Sequence, residues 1–308
     1  MAVLLLAYGT PASVDQIEPY YTHIRRGRPP TPELLGELTE RYRAIGGTSP
    51  LLEIARLQAA RLQALLGRRE PDLEFHVALG MKHASPFIED AVAGLAQLGA
   101  DQVIAVVLAP HYSSLSVGEY LARVRAAAAE HGLADVSVVE EWHLQPGYVA
   151  LLAARVRDSL ARLRAGGAQR VRVLFTAHSL PTRILEAGDP YPDQLEQTAL
   201  AVAARAELGD WSIAWQSAGR TAEPWIGPDV RDVVRELAAG GSHDGLLVCP
   251  AGFVSDHLEI LYDLDIECRA VAQDSGLRFA RTASPNADPE FIEVLAQIVG
   301  HRVRATVG

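Results

Sequence analysis

The sequence has little cysteine, no long apolar run and no excess of positive charge. Cys249 and Cys268 are the only cysteines, and two thiols alone cannot build a four-thiolate zinc or iron–sulfur site. The apolar run at residues 2–7 is too short to span a bilayer and follows no basic segment. The formal net charge of −10 argues against a nucleic-acid partner. These features predict a reduced, cytoplasmic protein without a transmembrane segment.

The glycine-rich signatures of nucleotide enzymes are missing as well. No Gly-x-Gly-x-x-Gly follows an apolar run, and no phosphate-binding loop ends in Gly-Lys-Ser/Thr. A nucleotide enzyme with a Rossmann fold is therefore the least favoured interpretation. A hydrophobic content of 49% and a length of 308 residues predict a well-formed core and favour two domains.

Short apolar runs alternate with amphipathic helical patterns along the whole chain. Predicted strands lie near residues 2–8, 73–80, 102–109, 135–140, 171–176, 211–216, 245–250 and 277–281. Helical patterns between them include residues 87–98, 120–131 and 148–164. This alternation predicts the α/β class, with two Rossmann-like domains that each contain a mainly parallel sheet flanked by helices. The small residues 165–168 mark the junction, which gives domains of residues 1–165 and 166–308.

Two similar motifs indicate that the halves are related. Ala7-Tyr8-Gly9-Thr10-Pro11 and Ala177-His178-Ser179-Leu180-Pro181 each follow an apolar run and lead into a proline-marked turn. Because α/β proteins place their chemistry at the ends of parallel strands, Tyr8 and His178 are predicted to face each other across a cleft. A flat ligand with a metal at its centre would suit this cleft.

Further matches pair Pro86-Phe87-Ile88 with Pro224-Trp225-Ile226, and residues 108–112 with residues 248–253. They recur in the same order, which favours duplication over the chance likeness of any two α/β units. The two motifs of the first pair are farther apart in the sequence than those of the later pairs. The first half therefore carries an insertion near residues 20–50. An insertion beside a cleft is typical of a lid.

Three carboxylates follow the apolar end of another predicted strand. Glu259, Asp263 and Glu267 are spaced at i, i+4 and i+8, which places them on one face of a helix. A solvated acidic face is the alternative, but like charges four apart destabilise a helix and the neighbouring residues are apolar. An inward row of carboxylates offers the hard oxygen ligands that divalent cations prefer. His178 alone is weaker evidence, since a single histidine is often structural.

The predicted lid carries the opposite charge. Arg25, Arg26 and Arg28 precede Arg41 and Arg43 in this segment. Guanidinium groups suit carboxylate ligands, although a basic run on a surface helix is often only solvated. Beside a cleft of an acidic protein, this cluster favours an anionic substrate.

These segments together resemble ferrochelatases, most closely the soluble coproporphyrin III enzymes of Gram-positive bacteria. The similar segments are residues 7–11, 20–28, 45–51, 108–113, 177–181, 188–192, 223–228 and 252–259. The resemblance implies a porphyrin cleft between two Rossmann-like domains. It also implies insertion of Fe(II) into coproporphyrin III, giving coproheme in haem biosynthesis. Fe(II) is then a substrate, and we expect no tightly bound cofactor and no iron–sulfur cluster. The resemblance further implies a monomer with transient haem-pathway partners.

The resemblance assigns roles to individual residues. It makes His178 and Glu259 the catalytic and metal-binding pair, with neutral His178 able to accept a pyrrole proton or bind iron. Tyr8 would approach the metal from the other porphyrin face. An outer metal site would comprise Asp263 and Glu267, with Arg41 nearby. The remaining porphyrin-binding residues would be Arg25, Arg26, Ser49 and Tyr120.

Several alternatives stay open at this point. The chain also fits a protoporphyrin IX ferrochelatase, a chelatase of the same fold that inserts cobalt or nickel, or a non-catalytic carrier of haem or metal. His83, His111 and His257 are further candidates, because a histidine near a strand end either lines the cleft or packs beside it.

Overall fold

The computed structural model describes the backbone of residues 1–307 and the side chains of residues 1–304. Within these residues it forms two four-stranded parallel sheets with equivalent strand orders, β2-β1-β3-β4 and β6-β5-β7-β8. The first sheet comprises β1 (Ala2–Ala7), β2 (His76–Met81), β3 (Val103–Val107) and β4 (Val136–Val139). The second comprises β5 (Val171–His178), β6 (Trp211–Gln216), β7 (Gly245–Cys249) and β8 (Arg278–Arg281). The predicted fold class is confirmed.

Helices cover both faces of each sheet. In the first half they are α1 (Ile17–Ile24), α2 (Pro32–Ala44), α3 (Leu51–Arg69), α4 (Ile88–Gln97), α5 (Val117–Glu130) and α6 (Pro146–Ala165). In the second half they are α7 (Arg183–Glu186), α8 (Tyr191–Arg205), α9 (Val230–Gly240), α10 (Leu258–Leu261), α11 (Arg269–Asp274) and α12 (Pro289–Val307). Among the described residues, no helix combines the length and apolar character needed to cross a membrane.

The strands are continuous apolar runs because each sheet is buried on both faces. In β1, Val3 and Leu5 pack into a core that both sheets share. The intervening Leu4 and Leu6 pack on the opposite face, against α4 and α5. Complete burial of each such leucine contributes about 1.5–3 kcal/mol.

The shared core joins the two halves. Helix α12 comes late in the chain, yet it packs against α3 and α6 of the first half. Phe291 of α12 lies 6.1 Å from Trp142 and 6.5 Å from Tyr148, measured between ring centres. Gln58 of α3 donates hydrogen bonds to Ser255 Oγ and to the Asn286 carbonyl, at 3.1 and 2.7 Å. The domain boundary at residues 165 and 166 remains a prediction.

One predicted match between the halves is wrong. The Met81 amide donates to the Pro86 carbonyl at 2.7 Å, and the Trp215 amide donates to the Pro228 carbonyl at 2.9 Å. The structural counterpart of Pro86 is therefore Pro228 and not Pro224. The second loop is longer because it first folds back to pair Trp225 with Pro181, which the spacing of prolines does not indicate.

The extra residues of the first half form a layer beside the cleft. Helices α1, α2 and α3 separate β1 from β2, whereas only α7 and α8 separate β5 from β6 among the described residues. Ile17 and Tyr42 of this layer pack on Leu258 of the second half. Arg41 of α2 pairs with Asp263, so the predicted lid contacts the segment that carries the candidate carboxylates.

Candidate active site

His178 and Glu259 meet at the ends of neighbouring strands. His178 is the last residue of β5, and Glu259 lies in α10, which follows the loop after β7. His178 Nε2 lies 3.4 Å from Glu259 Oε1, and both side chains are about 30% exposed. The two residues that the sequence proposed as a catalytic pair therefore lie next to each other, and both are partly accessible to solvent.

The two ring nitrogens of His178 have different partners. Nδ1 donates a hydrogen bond to the Ser179 carbonyl oxygen, which leaves Nε2 directed at Glu259. Burial alone would lower the pKa of His178, but Glu259 reverses this effect and raises it to about 9. For Glu259, burial favours the neutral acid, yet His178 holds its pKa well below the usual range.

The pair is thus an imidazolium and a carboxylate at neutral pH. The prediction that a neutral His178 accepts a pyrrole proton therefore requires that the imidazole first lose this proton, because Glu259 lies 3.4 Å from its Nε2.

A second histidine contacts Glu259 from the other side. His257 Nε2 lies 3.4 Å from Glu259 Oε2, and its Nδ1 donates to the Ser255 carbonyl at 2.9 Å. The sequence left His257 as an open candidate. The structure places Glu259 between His178 and His257, so this carboxylate has a nitrogen partner at each oxygen.

Buried polar groups hold this pair from behind. Gln216 pairs with His178 in the sheet register, and its carbonyl accepts the Ser179 amide at 2.7 Å. The Gln216 side chain donates to the Glu259 carbonyl at 2.9 Å. Tyr191 donates its hydroxyl proton to the His178 carbonyl at 3.0 Å. Neither Gln216 nor Tyr191 was predicted from the sequence. For Gln216 the available signal was a glutamine at the end of an apolar strand.

Tyr8 lies at the end of β1, as His178 does at the end of β5. Its ring centre is 4.7 Å from that of His83, and His83 Nδ1 lies 3.0 Å from His23 Nδ1. Partial burial, followed by the charge of the nearby Glu259, raises the pKa of Tyr8 above its usual value, although 42% of the residue is exposed. The phenol therefore stays protonated. Burial is the main cause, and the positive charge of Lys82 the second, that lowers the pKa of His83 to about 3. The His83 imidazole is therefore neutral.

His111 belongs to the interior rather than to the pair. It is buried, with Nε2 lying 2.8 Å from Thr198 Oγ1, and its ring centre is 5.6 Å from that of His143. Burial lowers its pKa to about 3. We assign His111 a packing role.

Two glycines permit the close approach of backbone at these strand ends. Gly9, after Tyr8, has φ +97°, and a Cβ there would lie 2.9 Å from the Ala84 amide nitrogen. A Cβ on Gly252 would lie 2.5 Å from the Ala177 Cβ, directly before His178. Side chains at either position would displace the strand end that carries the candidate residue.

Gly252→Ala is expected to lower the free energy of unfolding by about 1–3 kcal/mol, because the methyl group overlaps Ala177. Urea denaturation measures this change. Gly67→Ala is the matched control, since Gly67 lies in α3 with open space around it. The control should be neutral or slightly stabilising. Equal stability of both variants would contradict the packing argument.

The sequence predicted that Glu259, Asp263 and Glu267 lie on one regular α-helix, and this prediction is wrong. Helix α10 ends at Leu261, and residues Asp263–Cys268 form a π-helix. The Glu267 amide consequently bonds to the Tyr262 carbonyl, five residues back, at 2.9 Å. This wider turn could not be anticipated from carboxylate spacing.

Both outer carboxylates have cationic partners. Asp263 pairs with Arg41 and accepts a hydrogen bond from the Ser217 hydroxyl. Glu267 lies 3.3 Å from Arg231. Among the side chains that the structure describes, no group of three or more His, Cys, Asp or Glu is arranged to hold a metal ion. A cation at Asp263 or Glu267 would therefore replace an arginine.

The residues assigned to porphyrin binding differ in accessibility. Arg25 and Arg26 directly follow α1 in the predicted lid, where Arg26 is exposed and Arg25 is partly buried. Ser49 is buried, and its hydroxyl accepts the Leu51 amide at the start of α3. Tyr120 is also buried, with Lys82 Nζ lying 5.1 Å from its ring centre. Arg26 is therefore accessible to a ligand at the surface, whereas Ser49 and Tyr120 are buried.

A cavity of about 1080 Å³ opens between the lid and the loop after β2. Its lining includes His23, Arg26, Lys82, His83 and Glu119. Sites for small ligands commonly have volumes of about 300–1,000 Å³, so this cavity can accept a large ligand. Because His83 also contacts Tyr8, the cavity borders the Tyr8 wall of the cleft.

The fold of this chain is similar to that of chelatases of known structure. CbiX, described as the terminal enzyme of sirohaem biosynthesis in denitrifying bacteria, aligns with a TM-score of 0.58 at 15% identity, covering 98% of this chain and 99% of that chain. SirB from Bacillus subtilis with Fe³⁺ aligns with a TM-score of 0.55 at 11% identity, covering 97% and 93%. These similarities establish the chelatase-type fold.

The family follows from sequence. A family model named Ferrochelatase matches residues 1–303. A coproporphyrin III ferrochelatase of Anoxybacillus flavithermus is 44% identical over 99% of this chain and 96% of its own length. The enzyme of the same name from Geobacillus kaustophilus is 45% identical over 96% of this chain and 94% of its own length. The one from Bacillus subtilis is 44% identical over 97% of this chain and 96% of its own length. The chain belongs to the ferrochelatase family, as its motifs predicted.

Proposed function

We propose that this protein inserts Fe(II) into coproporphyrin III to give coproheme. The observation that carries the proposal is the His178–Glu259 pair at the strand ends of a chelatase-type fold. The substrate is inferred from the relatives, which are named coproporphyrin III ferrochelatase and match nearly the whole chain.

The reaction exchanges two pyrrole protons for one Fe(II). A planar porphyrin resists this exchange because its nitrogen lone pairs point inward. Contacts far from the centre can stabilise a bent macrocycle that exposes them. The protein must then supply a base and an attractive site for the cation.

His178 becomes that base once it has lost its own proton. Glu259 holds the proton on His178 in the empty site. An Fe(II) ion beside Glu259 would neutralise this carboxylate and lower the pKa of His178 again, which frees Nε2. The bond from Nδ1 to the Ser179 carbonyl fixes Nε2 as the nitrogen that faces the cleft.

Asp263 and Glu267 would form the outer part of the route for Fe(II) or for released protons. Asp263 is buried beside Glu259, and burial raises its pKa despite Arg41. A carboxylate with a raised pKa can exchange protons more readily near neutral pH. Displacement of Arg41 by the cation would open this route.

The number of propionates separates the two candidate porphyrins. Coproporphyrin carries a propionate on each of its four pyrrole rings, and protoporphyrin carries only two. The exposed Arg26 and the partly buried Arg25 offer guanidinium groups for these carboxylates. This arrangement favours coproporphyrin III.

Replacing Arg25 and Arg26 together by glutamine is expected to raise the KM for coproporphyrin III about tenfold and to change kcat much less. The reason is that both guanidinium groups bind carboxylates remote from the reacting centre. Steady-state kinetics measure the split, and Arg68→Gln, on the exposed end of α3, serves as the control. A large fall in kcat at unchanged KM would place these arginines in the chemical step instead.

Anaerobic Fe(II) insertion by the purified protein tests the proposed function, with coproporphyrin III and protoporphyrin IX assayed side by side. Rapid turnover of coproporphyrin III alone supports the proposal. Preference for protoporphyrin IX would keep the enzyme but overturn the substrate. No insertion, with tight binding of finished haem, would indicate a carrier.

Three further properties of the protein stay predictions. We expect no resident cofactor or iron–sulfur cluster, a monomer, and a cytoplasmic protein that contacts haem-pathway partners transiently. Metal analysis of the purified protein and light scattering after size exclusion test the first two.

A further inference from the structure

Glu119 on α5 lies between two cations at the wall of the 1080 Å³ cavity. Its Oε2 is 2.5 Å from Lys82 Nζ, and its Oε1 is 3.7 Å from Arg26 Nη2. Each carboxylate oxygen therefore faces one cation. Neither Glu119 nor Lys82 belongs to a motif that the sequence singled out.

The contact with Lys82 is the fixed part of this arrangement. Lys82 is the only lysine in the sequence, and its side chain is 9% exposed. A buried ammonium group requires an anion, which Glu119 supplies. Arg123 anchors the Lys82 backbone by donating to its carbonyl at 2.5 Å, while it also binds Glu89 through two N–H groups.

The contact with Arg26 is the exchangeable part. The Arg26 side chain is 86% exposed, and its distance from Glu119 is long for a direct ion pair. Exposed pairs of this kind are weak and are screened by salt. Arg26 lies beyond the end of α1, so its side chain extends from the following loop rather than from a packed helix face.

We propose that the Glu119 carboxylate occupies, in the empty protein, the position beside Arg26 that a carboxylate of the substrate takes on binding. In the empty cleft it holds Arg26, and with it the end of the lid, next to Lys82. An entering propionate takes Arg26 from Glu119, whereas Lys82 stays with Glu119. The inference rests on the proposed function and identifies Glu119 as a residue that sets porphyrin affinity by competing with the substrate.

This competition has a measurable consequence. Glu119 opposes binding in two ways, since it occupies Arg26 and since its charge repels a propionate that approaches the same guanidinium group. Removing the charge should therefore tighten binding. Glu119→Gln keeps the side-chain shape and leaves an amide oxygen to accept a hydrogen bond from Lys82.

The test is the Kd of the purified full-length protein for free-base coproporphyrin III, measured by fluorescence quenching at low and high salt. Glu119→Gln is expected to lower the Kd about threefold to tenfold at low salt, with a smaller gain at high salt. The matched control is Glu18→Gln. Glu18 is exposed and lines the same cavity, but among the described side chains it pairs with neither Lys82 nor Arg26. The control should change the Kd by less than about twofold.

A double-mutant cycle separates exchange at Arg26 from general electrostatics. In an Arg26→Gln background, Glu119→Gln should give a much smaller gain in affinity than in the wild type, because only the direct repulsion of the propionate is then removed. An equal gain in that background, or an unchanged or higher Kd for Glu119→Gln alone, overturns the inference.

If Glu119→Gln fails to fold, Glu119→Asp tests the same step. The shorter carboxylate can still compensate Lys82 but withdraws from Arg26, so it should also lower the Kd, and an unchanged Kd overturns the inference. Failure of the unmodified protein to bind coproporphyrin III would instead overturn the proposed function. Normal wild-type binding without a gain in either variant overturns only the role of Glu119.

Discussion

Replacing His178 by alanine is expected to reduce Fe(II) insertion at least about a thousandfold, while the Kd for the free-base porphyrin stays within about threefold of wild type. The imidazole is the nitrogen base directed into the cleft from β5, and its Nε2 lies 3.4 Å from Glu259. Binding should persist because the arginines that would hold the propionates lie on the lid, away from β5.

Single-turnover insertion under anaerobic conditions, together with porphyrin titration, distinguishes the two effects. His76→Ala is the matched control, since His76 is a partly exposed histidine in β2 and should retain full activity. Substantial turnover by His178→Ala would remove His178 from the mechanism. A parallel loss of porphyrin binding would assign it to substrate binding instead.

Glu259→Gln is expected to lower the pKa of His178 from about 9 to below 6.5, the ordinary value for histidine. Without the carboxylate, burial dominates and favours the neutral imidazole. At pH 7 His178 should therefore be protonated in the wild type and neutral in the variant. Fe(II) insertion should fall at least about a hundredfold, because the cation loses its carboxylate partner.

Histidine side-chain NMR of the porphyrin-free protein measures this pKa, with His178→Ala identifying the resonance. The raised pKa of His178 also makes the stability of the fold depend on pH. The raised pKa of His178 stabilises the fold fully below pH 6.5, and this contribution is lost as the pH rises through about 9. A pKa that stays near 9 in Glu259→Gln would show that Ser179 and Asp263 hold the charge without Glu259.

Much of the fold could be predicted because strands buried on both faces are continuous apolar runs. Leu4, Leu5 and Leu6 belong to such a run, and every predicted strand overlaps an observed one. The equivalence of Pro86 and Pro228 could not be predicted, because it depends on a loop that folds back before its helix begins.

The candidate site was predictable only in outline. Position at a strand end singled out His178, and carboxylate spacing singled out Glu259. The protonation of the pair depends on the distance between the two side chains, and the π-helix depends on a shift of backbone hydrogen bonds near Tyr262. Neither has a local sequence signal. The burial of Ser49 and Tyr120 likewise follows from tertiary packing.

The packing of α12 against α3 and α6 has a consequence for synthesis on the ribosome. The first sheet is complete once β4 has emerged, but one face of α3 stays uncovered until residues 289–307 follow. Leu62 and Leu66 of that helix are then apolar groups in contact with water. The nascent first half is therefore exposed to aggregation and to chaperones until residues 289–307 have been synthesised.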